Sequence, residues 1–143
     1  MAIHISPANI ETEQPLPYAD EGVKAGFPSP AQNYMEESID LNRLVVRHPA
    51  TTFYAHVVGD SMLDAGISDG DLIVVDRSLR PQDSNVVVAC IDGEFTLKRI
   101  KLDSGHGCLW LMPENPKYKP IKVTEDNHLV IWGVVTHCIK RIH

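Results

Sequence analysis

The sequence predicts a mainly β protein: a small, curved, mostly antiparallel sheet or partly closed barrel, carrying one short helix and an extended N-terminal arm. Three observations predict it. After Pro49 the chain breaks into short apolar or alternating runs, FYAHVV, LIVVD, NVVVACI, EFTLKRI, CLWLM and HLVIWGVVTHCI, separated by Gly, Asp and Pro, which is the signature of strands joined by turns. Asp92 and Gly93 stand between two of these runs and suit a two-residue type I′ hairpin, because both central positions need positive φ. A chain of 143 residues is long enough for one core without disulfides.

The elements follow in order. Residues 1–30 are rich in Pro and polar side chains, with Pro7, Pro15, Pro17, Pro28 and Pro30, and show neither helical nor strand periodicity. We expect residues 1–38 to be an extended arm and 39–143 a folded domain. In the segment DLNRLVVRH, residues 40–48, Asp40 is placed to cap a helix of about two turns whose apolar positions are Leu41, Leu44 and Val45. That helix must end before Pro49. Beyond it the strands succeed one another without internal repeat or low-complexity segment.

Composition excludes several classes. The formal net charge of -6 opposes phosphate binding as the main activity, since nucleic-acid affinity rests on Lys and Arg displacing counterions. Cys90, Cys108 and Cys138 are odd in number and match neither a zinc set nor a redox pair, so buried or half-buried free thiols in a reducing compartment are expected. The N-terminal residues lack a basic stretch followed by an apolar run, and no apolar run reaches bilayer-spanning length. A soluble, cytoplasmic protein without metal or organic cofactor is expected. Trp110, Trp132 and Tyr118 are expected to pack rather than to contact a ligand.

The chemistry centres on Gly59, Asp60, Ser61 and Met62, directly after the run FYAHVV. A serine beside a glycine at a strand end can be held on a tight turn with its hydroxyl and nearby N–H groups presented. Asp60 and Ser61 could equally do no more than cap that turn. A nucleophilic serine needs a base. His56 is near in sequence but reads as a half-buried strand histidine. Lys98 is the other candidate: in a hairpin turning at Asp92 and Gly93 it lies opposite Val87, on a face shared with Ala89, Ile91, Thr96 and Ile100. An unperturbed lysine of pKa about 10.4 is neutral in only about one molecule in 2500 at pH 7. Bringing it to about 7 means disfavouring the ammonium by about 4.6 kcal/mol, within reach of desolvation. The same pattern also fits a surface lysine whose stem snorkels over apolar neighbours.

Taken together, GDSMLDAGISDGDLIVVD, DGEFTLKRI, LMPENPKYKPI and VIWGVVTHCIK resemble the peptidase domain shared by LexA, phage repressors and UmuD. The resemblance extends upstream through GFPSPAQNYMEESIDLNRLVVRHP and covers nearly the whole chain. About 25 residues before the implied cut are too few for a helix-turn-helix domain, so the UmuD, MucA and RumA type is the expected relative. The resemblance implies a LexA- and signal-peptidase-like fold, Ser61 as nucleophile, Lys98 as neutral base, and the bond between Ala25 and Gly26 as substrate. Ala before the cut glycine matches LexA where UmuD-type chains often have Cys. The N–H groups of Ser61 and Met62 are candidates for an oxyanion hole.

The activity so implied is autoproteolysis in the SOS response, stimulated by the RecA filament on single-stranded DNA. The cleaved homodimer would then act with a UmuC-type Y-family polymerase in translesion synthesis and mutagenesis, with little direct DNA binding and no membrane. The apolar stretch 130–139 fits a dimer contact as well as a core strand. A non-catalytic polymerase-interaction module with vestigial cleavage is the alternative. From Gly26 to Ser61, roughly 35 residues of extended chain could span about 115 Å, so reach permits cleavage within or between subunits.

Overall fold

The computed structural model describes residues 3–8, 13, 15–18, 37–103, 105 and 107–143. Among these residues ten strands are present: β1 (Ile3–Pro7), β2 (Pro15–Tyr18), β3 (Glu37–Asp40), β4 (Thr52–Val57), β5 (Leu72–Asp76), β6 (Val86–Ile91), β7 (Glu94–Asp103), β8 (Cys108–Met112), β9 (Ile121–Val123) and β10 (Leu129–Ile139). Eight form one sheet in the order β1-β4-β5-β10-β6-β7-β8-β9, and β2 pairs with β3 separately. Every pair is antiparallel. The sheet is open rather than a closed barrel.

The strands expected after Pro49 are all there, and the hairpin turns where the sequence places it. Asp92 has φ 49° and Gly93 φ 83°, the two positive values of a type I′ turn. The Asp92 carboxylate also accepts the His128 N–H at 3.1 Å, tying the turn to the start of β10. Four strands lie outside the apolar runs read from the sequence: β1, β2, β3 and β9. β1 pairs with β4, Ile5 opposite Ala55, although the Pro-rich N-terminal stretch shows no strand periodicity; an edge strand needs partners on one side only and tolerates Pro. β9 is too short, at three residues, to carry a period.

The helix α1 (Leu41–Val45) begins where Asp40 accepts the Asn42 N–H at 3.1 Å. It is shorter than expected and its apolar side does not face the core: Leu41 is 56 % and Leu44 48 % exposed, and the buried residue is Val46, just beyond the last turn. Five residues cannot lay a continuous stripe against a sheet.

Both faces of the sheet centre are buried. Ala55, Val57, Met62, Ile73, Val75, Val88 and Leu97 form one cluster; Val87, Ala89, Ile100, Leu111 and Val134 form another. Adjacent residues such as Val87 and Val88 therefore face different apolar layers, which is why β6 reads as an unbroken apolar run. β10 shifts register between Ile131 and Gly133 and again between Val135 and His137, and such bulges bend a strand. At Gly133 a Cβ would meet Val75 Cγ1 at 2.6 Å, so only glycine admits the close approach of β5 and β10. Trp132 packs as expected, edge-on to Phe53 and Phe95 at 5.1 and 6.1 Å, with Arg77 4.6 Å above it. Trp110 is half-buried under Lys122.

Candidate active site

Ser61 sits on the turn that follows β4. Gly59 has φ 101°, a conformation that suits glycine, and its N–H donates to the Asp69 carboxylate at 2.7 Å. Val57 and the segment 70–71 clasp the base of this excursion, Gly70 N–H to Val57 O at 2.7 Å and Val57 N–H to Asp71 O at 2.9 Å. Met62, fully buried among Ala55, Val57 and Leu97, anchors the turn in the core. Gly66 closes it in the left-handed conformation.

Lys98 arrives from β7. The register pairs it with Val87 and pairs Thr96 with Ala89, the placement the hairpin requires. Its side chain is not a surface chain snorkelling outward: Lys98 is 6 % exposed and Ser61 2 %. Nζ donates to Ser61 Oγ at 3.2 Å, Thr96 Oγ1 at 2.9 Å and the Leu97 carbonyl at 3.1 Å. Burial holds the Lys98 amine below its ordinary value, because desolvation penalises the ammonium and no carboxylate offsets it. When the amine is neutral, two N–H groups suffice for Thr96 and Leu97. The lone pair is then free to accept the Ser61 hydroxyl.

The pair opens into a cavity of about 210 Å³ lined by Gly59, Asp60, Thr96, Tyr118, Lys119 and Ile121. Tyr118 departs from expectation. It is exposed, lines the cavity, and donates its hydroxyl to the Asp60 carboxylate at 2.6 Å; that bond pushes the phenol above its ordinary value. His56 also departs: β4 alternates, Ala55 and Val57 take the core face, and His56 is exposed. Among the described residues neither the N–H of Ser61 nor that of Met62 has a protein acceptor. The bond between Ala25 and Gly26 lies outside the described residues. Cys90 and Cys108 are half-buried as expected, whereas Cys138 is exposed.

Two contributors were not singled out from sequence for this site. Thr96 appeared only as a face neighbour of Lys98, yet its hydroxyl is the nearest acceptor of the amine. Asn115 carried no role, yet it is buried and its amide donates to the Asp60 carbonyl at 2.8 Å. Asn115 lies within LMPENPKYKPI, one of the motifs that carry the resemblance, but taken locally it is a polar residue between two prolines, ordinary loop composition.

Residues 17–136 match the Peptidase S24-like family. The chain belongs to that family. It is 46 % identical to protein MucA of Salmonella typhimurium over 125 residues, 87 % of this chain and 84 % of that one. Protein SamA of Salmonella typhimurium is 40 % identical over 141 residues, 99 % of this chain and 96 % of the relative. LexA repressor 1 of Pseudomonas syringae is 40 % identical over 120 residues, 83 % of this chain but 58 % of the repressor. The S24 peptidase is thus of the UmuD and LexA type that its motifs resemble. Among the described residues no helix is long and apolar enough to cross a membrane.

Proposed function

We propose that this S24 peptidase is a self-cleaving, UmuD-like protein of the SOS response, cutting its own chain between Ala25 and Gly26 with Ser61 as nucleophile and Lys98 as general base. The observation that carries the reading is the buried contact of Lys98 Nζ with Ser61 Oγ at 3.2 Å. Neutral Lys98 takes the Ser61 proton as Oγ bonds to the Ala25 carbonyl carbon. The oxyanion is received by the N–H groups of Ser61 and Met62. Lys98 returns the proton to the Gly26 nitrogen as the C–N bond breaks, and water, activated by the same amine, hydrolyses the ester.

The segment containing the cut bond belongs to the arm assigned to residues 1–38, which must enter the cavity beside Ser61 for reaction to begin. The RecA filament on single-stranded DNA favours that docked state as a population shift. The cleaved protein, as a homodimer in the cytoplasm, joins a UmuC-type Y-family polymerase in translesion synthesis. The acidic net charge of -6 favours protein partners over direct DNA contact.

The test is incubation of the full chain with RecA filament, or at alkaline pH without it, followed by mass spectrometry. A new fragment beginning at Gly26, lost in Ser61→Ala, is expected. Cleavage of Ser61→Ala at the parent rate, or a fragment beginning elsewhere, overturns the assignment.

A further inference from the structure

The nucleophile turn is held from outside by the loop between β8 and β9. The Asn115 side chain, 8 % exposed, donates from Nδ2 to the Asp60 carbonyl at 2.8 Å, and its Oδ1 accepts the Lys117 N–H at 3.0 Å. Next to it the Glu114 N–H donates to the Ser61 carbonyl at 2.8 Å, and the Asp64 N–H returns to the Glu114 carbonyl at 2.7 Å. The Glu114 side chain is itself held by Arg99 at 2.6 Å.

A trans peptide unit is planar, so its C=O and the following N–H point in opposite directions. The Asp60 carbonyl shares its plane with the Ser61 N–H, and the Ser61 carbonyl shares its plane with the Met62 N–H. The Ser61 carbonyl is held by Glu114, and the Asp60 carbonyl by Asn115 at 2.8 Å and, more weakly, by the Leu63 N–H at 3.2 Å, which aims both following N–H groups away from the loop. Those are the two N–H groups without a protein acceptor among the described residues.

We propose that Asn115 is a positioning residue for oxyanion stabilisation: by gripping the Asp60 carbonyl it fixes the direction of the Ser61 N–H. The inference rests on Ser61 being the nucleophile. Asn115 touches no reacting atom. Its amide is suited to the task because one side chain must donate to a carbonyl and accept an N–H, which an ionised carboxylate of the same shape cannot do.

First-order self-cleavage of the full chain is measured against pH for the parent, Asn115→Asp, Asn115→Ala and Ser61→Ala, with the thermal midpoint of each. Removing an oxyanion donor outright costs about 100- to 1000-fold in rate, so misdirecting one is expected to lower the alkaline plateau about 10- to 100-fold. The pH midpoint of the rate, which reports Lys98, stays in place. A plateau equal to the parent's overturns the proposal. So does a lowered plateau with a displaced midpoint, which marks general loosening around Lys98, or the failure of both Asn115 variants to fold, which makes the residue a part of the fold alone. A parent that does not cleave, or a Ser61→Ala chain that does, removes the underlying reading of Ser61 instead.

Discussion

Lys98 Nζ and Ser61 Oγ lie 3.2 Å apart across 37 residues of chain, one side chain at the end of a strand excursion and the other in the middle of a hairpin arm. Nothing local brings them together. The contact exists because Met62 is packed into the core below the turn while Lys98 is held at its carbonyl and hydroxyl acceptors.

Self-cleavage should rise with pH. Burial lowers the Lys98 pKa from its ordinary 10.5; with Lys98 in the proposed role of base, which acts only when neutral, the rate below the folded value climbs about tenfold per pH unit and then levels off. Lys98→Arg, whose guanidinium stays protonated, should show neither the rise nor measurable cleavage. Fragment formation followed across the alkaline range checks both.

Thr96→Val removes the nearest acceptor of the Lys98 amine, 2.9 Å away, while keeping the β-branched shape. A charge-assisted bond to the ammonium is lost, so the pKa falls further and the rate profile shifts to lower pH. With the amine less well aimed, the plateau should drop about tenfold. A pH profile of cleavage separates the two effects.

Stability should fall on acidification, and Asp71 and Asp76 should be responsible. Burial alone would raise both carboxyls, but hydrogen bonds outweigh it: Lys140, the Ser68 N–H and Cys138 on Asp71, and His48, Ser78 and Thr51 on Asp76. Both pKa values therefore lie below the ordinary 3.8. A depressed carboxylate contributes stability above its unfolded pKa, lost as pH falls through the folded value. Urea denaturation of Asp71→Asn and Asp76→Asn should show a flatter acid limb than the parent.

Gly133→Ala should destabilise the fold by about 1–3 kcal/mol through overpacking, since its Cβ would stand 2.6 Å from Val75 Cγ1. The midpoint of chemical denaturation measures it. A change within error would mean that β5 and β10 separate without cost.

The hairpin shows how far local chemistry reaches. Asp92 and Gly93 specify a two-residue turn, the turn sets the register, and the register puts Lys98 opposite Val87, so the apolar setting of the lysine was legible from residues a few places apart. Strand β1 was not legible, because its order comes from pairing with β4, some fifty residues on. The Leu41 and Leu44 spacing located the helix but not its setting, because apolar spacing supplies nothing to bury a face against.

By itself the sequence determined the all-β class, the hairpin, the capped start of α1 and, through its motifs, the family. Only the tertiary structure decided that Ser61 meets Lys98, that Thr96 shares the amine, that Tyr118 faces the cavity rather than the core, and that Asn115 grips the Asp60 carbonyl. Turn type and capping depend on the φ and ψ preferences of neighbouring residues. The site depends on which distant side chains the β4-β5-β10-β6-β7 order brings within hydrogen-bond reach, and on how far the surrounding core strips water from a single lysine.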